Sequence, residues 1–300
     1  MRDFNASNIT QAVIDRMADT PDPRLRTVLS SLVRHLHAFV SEVELSFDEW
    51  QGAIGFLTRT GQMCDDHRQE FILLSDTLGV SMLVDAINHH MPPGATETTV
   101  LGPFYVKAAP LMPNGSDISG GLTGEPLLVR GSVASADGTP LADATVDVWH
   151  ADDEGFYDVQ RLDKLGNLAG RAQFRTDAAG RFSFWTIMPK WYPIPDDGPV
   201  GDMLKATARH PNRPAHMHFM IAADGHETLI THVFSAESPW LDSDAVFGVK
   251  TSLIAEFSSH EPGTAPDGRE IASTYRCLDY TFGLKPRTAD LSVPPRQDPG

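Results

Sequence analysis

The spacing of apolar residues changes about one third of the way along this chain, and that change constrains the fold more than any other feature. Up to about residue 90, apolar residues recur at intervals of three and four, the period of an amphipathic helix. From about residue 125 they alternate with polar residues, the period of a β-strand with one buried face. The sequence therefore predicts an α+β protein in which a helical region precedes a β-sandwich.

Three helices are predicted in the N-terminal region. The first carries an apolar stripe formed by Leu25, Val28, Leu29, Leu32, Val33 and Leu36. Ser46 and Glu49 have the spacing of a capping box, which predicts that the second helix begins there. A third helix is predicted over about residues 66–90. Pro92, Pro93 and Gly94 end the helical pattern, so we predict a helical domain over residues 1–95.

Short alternating segments separated by Gly, Pro and Asp turns follow in residues 96–300, the second predicted domain. The predicted strands are Leu127–Val133, Thr145–His150, Arg181–Trp185, His216–Ala222 and Thr228–Phe234. Strands of this length, joined by turns, indicate an antiparallel β-sandwich. The segment Asp244–Phe257 fits a helix or a strand equally well.

Composition narrows the class of function. The formal net charge of −16 argues against nucleic-acid binding, which uses basic stripes. No apolar run approaches the ~20 residues that span a membrane, and the segment after Met1–Asn5 lacks the apolar stretch of a secretory signal. Cys64 and Cys277 have no metal-site spacing, so we expect two reduced thiols. These features predict a cytoplasmic protein that binds neither nucleic acid nor membrane.

His216 and His218 lie two residues apart on a predicted strand, so their imidazoles point to the same face and can converge on one metal ion. A cupin site would need a glutamate a few residues later, yet the next glutamate is Glu227. A zinc hydrolase would need a third histidine or a carboxylate, for which His226 and Glu227 are candidates. The histidine pair alone leaves these alternatives open.

Tyr157 and Tyr192 lie in settings rich in glycine and proline, Glu154–Asp158 and Pro189–Pro193. Taken alone, each tyrosine would be a packing residue. Two phenolates together with two imidazoles form a ligand set that suits Fe(III), because hard oxygen donors favour a hard cation. Arg213, shortly before the histidines, adds a permanent positive charge.

Four motifs occur in an order and spacing that resemble the intradiol ring-cleaving dioxygenases, the catechol 1,2-dioxygenase family. They are Val146–Tyr157, Trp191–Pro195, Gly198–Pro199 and Arg209–His218, and the resemblance extends from about Phe71 to Tyr280. The resemblance implies one non-haem Fe(III) per chain, with the ligands Tyr157, Tyr192, His216 and His218. It also implies catalytic roles for Tyr192, as a departing ligand that accepts a proton, and for Arg213, as a stabiliser of negative charge.

Within that family the sequence is most similar to the branch that cleaves hydroxyquinol, 1,2,4-trihydroxybenzene. Trp191–Gly201, Leu241–Lys250 and His232 carry this similarity. It implies a role in aromatic catabolism, cleavage with O₂ between the adjacent hydroxylated carbons, and a product that is 3-hydroxy-cis,cis-muconate and then maleylacetate. The substrate-binding residues that it implies are Leu73, Asp76, Val100, Leu101 and His232. Asp76 is expected to accept a hydrogen bond from the third hydroxyl.

Other interpretations remain at this point. Catechol or chlorocatechol is the alternative substrate, and Asp76 could instead cap a helix or pair with a cation. A non-enzymatic, transthyretin-like binding module shares the strand pattern, but it leaves the two tyrosines and two histidines without a common role. Because the helical domain of the family joins two subunits, we expect a homodimer through the N-terminal helices. The expected partners are therefore an aromatic diol or triol, O₂ and a second copy of the chain.

Overall fold

The computed structural model describes residues 2–65 and 68–287, and its backbone contacts divide the chain into two compact units, Met1–Gln62 and Met63–Gly300. The helices are α1 (Ile9–Asp15), α2 (Pro23–Glu42), α3 (Phe47–Gln62), α4 (Glu70–Thr77), α5 (Val80–Asn88), α6 (Leu162–Leu165) and α7 (Pro199–Ala206). The strands are β1 (Pro126–Ser135), β2 (Thr145–His150), β3 (Arg171–Arg175), β4 (Arg181–Ile187), β5 (Tyr192–Pro193), β6 (Asn212–Arg213), β7 (His216–Ala222), β8 (Leu229–Ser235), β9 (Ile254–Ala255), β10 (Ser258–His260), β11 (Gly263–Thr264), β12 (Glu270–Ile271) and β13 (Tyr275–Leu284). Among the residues described, no helix combines the length and the apolar content needed to cross a bilayer.

The first unit consists of α1, α2 and α3. The side chain of Asp22 accepts hydrogen bonds from the backbone N–H groups of Arg24 and Leu25, which caps α2. At α3 the backbone N–H of Ser46 donates to Glu49 at 2.9 Å, and the backbone N–H of Glu49 donates to the Ser46 hydroxyl at 3.3 Å. The predicted capping box and the two predicted helices are therefore confirmed.

The predicted third helix is two helices in the structure. Between them Gly79 has a φ of 74°, in the left-handed region that favours glycine. The apolar pattern continues across this break, which is why the sequence indicates one helix. Because α4 packs against α7, it belongs to the second unit. The compact units thus divide after Gln62, and the domain boundary that the sequence places at residue 95 stays a prediction.

Two larger sheets face each other in the second unit. Their strand orders are β10-β13-β1-β4 and β3-β2-β7-β8-β9. Val129 and Phe282 of the first sheet share one buried apolar cluster with Val148 and Phe219 of the second. The alternating segments therefore form the predicted sandwich, with its core between the sheets.

Two strand pairs depart from the predicted antiparallel arrangement. β1 runs parallel to β13, with Leu127 opposite Arg276, and β8 runs parallel to β9. The first of these pairings joins residues 149 positions apart, which local alternation cannot predict. The other pairs in the two larger sheets are antiparallel. The α+β class with a β-sandwich is confirmed, and the strictly antiparallel sandwich is corrected to a mixed one.

The segment Asp244–Phe257 is mostly irregular, with a single 3₁₀ turn at Thr251–Leu253 before the short strand β9. Its local sequence fits helix or strand equally well because neither element extends through it. β7 lies in the middle of the five-stranded sheet, between β2 and β8. This central position fixes the direction of every β7 side chain, including the two histidines.

Candidate metal centre

His216 and His218 lie on the face of β7 that points away from the core between the sheets. Met217, Phe219 and Ile221 belong to that core, so alternation places the two imidazoles on the opposite face. Loops cover this face, and each of the two histidines is only 1% exposed. Their Nε2 atoms lie 3.2 Å apart, as the two-residue spacing predicts.

Each imidazole is held in a defined orientation. The Nδ1–H of His216 donates to the carbonyl oxygen of Pro214 at 2.7 Å, so the Nε2 atom carries the lone pair. The ring of His218 stacks on Trp149 with 4.7 Å between centroids. The backbone of Gly102, with a φ of +77°, also approaches this ring, because an added Cβ would lie 3.0 Å from Cε1 of His218.

Tyr157 and Tyr192 reach the histidines from two separate loops. Tyr157 follows a turn at Gly155, whose φ is +90° and whose added Cβ would lie 2.8 Å from Cβ of Tyr192. Glycine at this position therefore lets the two tyrosine segments approach each other. Tyr192 begins β5 and is paired with Arg213 of β6. The two phenol oxygens lie 3.2 Å apart.

The phenol oxygens and the imidazole nitrogens converge on one point. Oη of Tyr157 lies 2.9 Å from Nε2 of His218 and 3.5 Å from Nε2 of His216. Ligands at about 2.0–2.2 Å from one ion stand roughly 3 Å from each other. The four donor atoms thus have the spacing of one coordination sphere. Two neutral nitrogens and two phenol oxygens also form the donor set that a hard cation prefers.

His232 is a third histidine in the same place. It lies opposite His218 on β8, and its ring centroid is 4.2 Å from that of His218. It is fully buried, and within the described residues neither ring nitrogen makes a hydrogen bond of ordinary geometry. Nitrogens of His216, His218 and His232 lie within 4.8 Å of one another, so these three histidines could also hold a metal ion.

Burial sets the protonation of these side chains. Burial, with the charge of Arg213, lowers the pKa of His216 to about 3, and burial lowers the pKa of His218 well below 6.5. Burial also raises the pKa of Tyr157 well above 10, and Tyr192 raises it further. The imidazoles are therefore neutral and able to ligate, whereas a phenolate at Tyr157 needs a cation beside it. The site thus fits a metal ion of high positive charge.

Arg213 lies beside the metal ligands in a buried ion pair. Its Nε–H donates to Oδ1 of Asp244 at 3.1 Å, and its Nη2 donates to Oδ2 at 3.3 Å. Nη1 lies 3.4 Å from Nε2 of His216. Although burial alone would raise it, the charge of Arg213 holds the pKa of Asp244 below its ordinary value. Arg213 therefore supplies a fixed positive charge next to the convergence point.

A second buried ion pair lies behind Tyr157. Nε of Arg171 donates to Oδ2 of Asp158 at 2.7 Å, Nη2 bonds Oδ1, and Nη1 donates to the carbonyl of Phe104 at 2.9 Å. The ring of Phe104 stacks on Tyr157 with 4.3 Å between centroids. This pair fixes the backbone on both sides of the Tyr157 ring.

The predicted substrate residues pack against the metal centre or against the loop that carries Asp244. Leu101 packs in the cluster that contains Tyr157 and Tyr192. Leu73 packs against the cluster that contains Ala245 and Val246, next to Asp244. Burial lowers the pKa of His232, and the backbone of Val100, which lies beside that ring, partly opposes this change. The structure thus brings Leu73, Val100, Leu101 and His232 into the region of the metal centre, and their contact with substrate stays a prediction.

Asp76 is half-buried on α4. Burial raises its pKa, while a hydrogen bond from Ser81 and the charge of Arg213 oppose that rise. The carboxylates of Asp76 and Asp244 act on each other as well. Asp76 therefore lies within the electrostatic field of the Arg213 pair, which agrees with a place in the substrate pocket.

Several residues around the centre have no role in the sequence-based prediction. They are Trp149, Phe104, Gly102 and Asp244. Trp149 could have been found from strand pairing, because it lies directly opposite His218 in the register of β2 and β7. The others lie in loops, where no periodicity indicates a direction. His226 is partly exposed after the turn that follows β7, and the metal-binding cluster of the described residues does not include it, so it is not the third ligand of a zinc site; His232 takes that place in the cluster.

Comparisons with known proteins agree with this geometry. Residues 100–286 match a family model described as "Dioxygenase", and residues 22–96 match one described as "Catechol dioxygenase N terminus". The two matches meet near the domain boundary predicted at residue 95. The chain belongs to the intradiol ring-cleavage dioxygenase family, as its four motifs predict.

Individual relatives cover most of the chain. It is 52% identical to the 6-chlorohydroxyquinol 1,2-dioxygenase of Cupriavidus pinatubonensis, over 95% of this chain and 99% of that protein. It is 53% identical to the hydroxyquinol 1,2-dioxygenase of a Rhizobium species, over 86% of this chain and 88% of that protein. The crystal structure of hydroxyquinol 1,2-dioxygenase from Pseudomonas putida matches with a TM-score of 0.89 and 46% identity, over 94% of this chain and 99% of that one.

Proposed function

We propose that this protein is a non-haem Fe(III) dioxygenase that cleaves hydroxyquinol with O₂ between its two adjacent hydroxylated carbons. The product is 3-hydroxy-cis,cis-muconate, which tautomerises to maleylacetate, in the catabolism of aromatic compounds. The observation that carries the proposal is the convergence of Tyr157, Tyr192, His216 and His218, with donor atoms 2.9–3.5 Å apart in the measured pairs. The substrates in the names of the relatives support the choice of hydroxyquinol.

The four ligands hold one iron per chain. Fe(III) held there would accept an electron in part from an aromatic diolate, which would give a ring carbon the unpaired-electron character that reaction with triplet O₂ requires. Tyr192 Oη accepts a proton from one of the two adjacent hydroxyls when the substrate binds. The walls formed by Leu73 and Leu101 exclude water from the ring, which strengthens every charge interaction inside.

Arg213 stabilises the negative charge that develops on the substrate during cleavage. Its guanidinium is always protonated, and its Nη1 atom lies 3.4 Å from the His216 nitrogen that ligates the metal. Because the charge is positioned before the reaction begins, no reorganisation is needed at the transition state.

Asp76 selects the third hydroxyl of hydroxyquinol. A half-buried carboxylate on an otherwise apolar helix face is costly unless a donor satisfies it. Ser81 already donates to this carboxylate, and the third hydroxyl supplies a further donor that catechol lacks. His232, whose ring nitrogens make no hydrogen bond of ordinary geometry within the described residues, is the second candidate for a contact with the substrate.

The test begins with the metal and the colour of the purified protein. We expect about one iron per chain and a broad visible absorption from tyrosinate-to-Fe(III) charge transfer, which shifts when a diol is added. Tyr157→Phe should weaken and shift the absorption, because Tyr192 is then the single tyrosinate ligand, whereas Tyr280→Phe, whose hydroxyl donates to the carbonyl of Ser252, should leave it unchanged. A colourless protein that stays inactive after iron loading would exclude the ferric site.

The ligand set is tested with His232. If Tyr157, Tyr192, His216 and His218 hold the iron, His232→Gln keeps both iron and colour. If the three histidines hold the metal instead, this variant loses it. Oxygen uptake with hydroxyquinol and with catechol, measured separately, then identifies the substrate. A preference for catechol would assign the chain to the other branch while leaving the ring-cleaving chemistry in place.

We infer further that the chain forms a homodimer through a helical domain at residues 1–95, with catalysis in residues 96–300. In the single chain, α2 exposes a stripe of apolar side chains, Leu25, Val28, Leu32, Leu36 and Phe39. Light scattering should give two chains per particle, and Leu32→Glu should give one, whereas Arg34→Glu on the opposite face leaves the dimer intact. We also infer a cytoplasmic location, because two cysteines in 300 residues are few compared with the cysteine-rich frameworks of small secreted domains.

A further inference from the structure

The carboxylate of Asp244 is surrounded by donors. Oδ1 accepts from Nε of Arg213 and, at 3.4 Å, from the backbone N–H of Val246. Oδ2 accepts from Nη2 of Arg213 and, at 2.9 Å, from the backbone N–H of Gly248. Each oxygen thus faces two N–H groups, a pattern that only an ionised carboxylate satisfies.

The loop that carries Asp244 is fixed to the strand that carries Arg213. The backbone N–H of Ala245 donates to the carbonyl of Asn212 at 3.1 Å. Gly248 packs closely against the pair, because an added Cβ would lie 3.1 Å from Nη2 of Arg213 and 3.2 Å from Oδ2 of Asp244 and would displace these atoms by a few tenths of an ångström. The carboxylate and the guanidinium are therefore held by one rigid frame.

This frame determines the direction of the remaining nitrogen of Arg213. Nε and Nη2 are engaged by Asp244, and Nη1 takes no part in the pair. Nη1 is the nitrogen that lies beside Nε2 of His216. A planar guanidinium fixed along one edge can present its third nitrogen in one direction only.

We propose that Asp244 is the positioning residue of the reaction: it orients Arg213 so that Nη1 faces the metal centre, and it acts on turnover only through Arg213. The inference rests on the proposed function, because it needs Arg213 to stabilise charge on the substrate. Among the described residues, the hydrogen bonds of the Asp244 carboxylate go to Arg213, Val246 and Gly248 and to none of the four proposed metal ligands.

The substitution Asp244→Asn tests this role. In either orientation the asparagine NH₂ group would face two N–H donors, so the variant cannot rebuild the pair. We expect kcat to fall about 10²-fold with KM changed by less than about 3-fold, while iron content and visible absorption stay at the wild-type level. Asp279→Asn is the matched control, because it breaks an exposed Arg–Asp pair and should change none of these quantities.

A double-mutant cycle separates positioning from a general role in folding. In the Arg213→Ala background, Asp244→Asn should change kcat by less than about 3-fold, because the residue through which Asp244 acts is gone. It should also raise Tm there, since it removes a buried carboxylate that has lost its partner, whereas in the wild-type background it lowers Tm. This reversal of sign is independent of activity.

If the losses of kcat in Arg213→Ala and Asp244→Asn multiply in the double variant, the proposal is overturned. Wild-type turnover in a folded Asp244→Asn protein would overturn it as well. Should Asp244→Asn fail to fold, the double variant and Asp244→Glu provide the same comparison, with Asp244→Glu expected to keep Tm closer to wild type but to lose kcat. If the wild-type protein holds no iron and cleaves neither diol, the proposed function fails, while the reversal in Tm still decides whether the pair exists.

Discussion

Two buried arginine–aspartate pairs, Arg171–Asp158 and Arg213–Asp244, flank the two tyrosines. They differ in what the third guanidinium nitrogen, Nη1, contacts. Both pairs are bidentate, with side-chain exposures of 2% and 1% for Arg171 and Asp158 and of 5% and 2% for Arg213 and Asp244. Nη1 of Arg171 is engaged by the carbonyl of Phe104, whereas Nη1 of Arg213 faces His216. The same chemical pair therefore stabilises structure when every nitrogen is engaged, and can serve a reaction when one nitrogen faces the site.

Mutations can test this difference. The largest change, in the free energy of unfolding, is expected at the Arg171–Asp158 pair, which serves structure alone. Arg171→Ala leaves Asp158 buried without its cation, so we expect the free energy of unfolding to fall by about 3–5 kcal/mol. Urea titration of the purified variant measures it. Arg130→Ala, in an exposed pair, should cost less than about 1 kcal/mol. Equal losses in the two variants would mean that burial does not distinguish them.

Arg213→Ala should instead separate turnover from iron binding. We expect the variant to keep its iron and colour and to lose about 10²–10³-fold in kcat, the usual cost of removing one stabiliser of transition-state charge. Metal analysis and oxygen uptake on the same sample check both parts. Normal turnover would make Arg213 a structural residue like Arg171.

The free energy of unfolding should depend on pH through His150, which lies near the Arg171–Asp158 pair. Its Nδ1–H donates to the carbonyl of Ala151, its Nε2 accepts from the hydroxyl of Thr186, and burial lowers its pKa to about 4. In the unfolded chain the pKa returns to about 6.5. Between these values only the unfolded chain binds the proton, so the contribution of His150 to stability is complete above pH 6.5 and is lost as the pH falls toward 4.

The expected loss is on the order of 3 kcal/mol, from the size of the shift. Urea titrations of wild type and His150→Gln between pH 7 and pH 4 measure it, because contributions of the other buried histidines cancel in the difference. The free energy of unfolding of His150→Gln should depend less steeply on pH than that of the wild type. Parallel curves would mean that the pKa of His150 is the same in the folded protein as in the unfolded chain.

The smallest effect is a change in substrate preference, and it is expected at Asp76, near the Arg213–Asp244 pair. We expect wild type to prefer hydroxyquinol over catechol by at least ~10-fold in kcat/KM, because an unpaired buried polar group costs roughly 1–3 kcal/mol. Asp76→Ala should narrow this gap mainly by losing activity toward hydroxyquinol. Asp202→Ala, at an exposed position of α7, is the control. Equal losses on both substrates would indicate a role in folding.

The sequence predicts those parts of the site that depend on local geometry. The period of two places His216 and His218 on one face, and the structure confirms it through the distance between their Nε2 atoms. The approach of Tyr157 and Tyr192 depends on Gly155 and on two loops, whose paths no periodicity determines, so it required the family resemblance.

Contacts between distant parts of the chain are what the sequence misses. Asp244 meets Arg213 across an irregular segment, and hydrogen bonds to single backbone groups fix that contact rather than a repeating pattern. The break at Gly79 is missed because the apolar residues keep helical spacing on both sides of it. The parallel pairing of β1 with β13 depends on the whole topology of the domain.

That pairing has a consequence for protein synthesis. β13 lies inside its sheet, between β10 and β1, yet it is the last of the described strands to leave the ribosome. At about 5–20 residues per second, the 149 residues that separate the paired positions take roughly 7–30 s to be made. During that interval the nascent chain exposes the unpaired edge of β1, so chaperones have their opportunity to bind before the sandwich closes around its core.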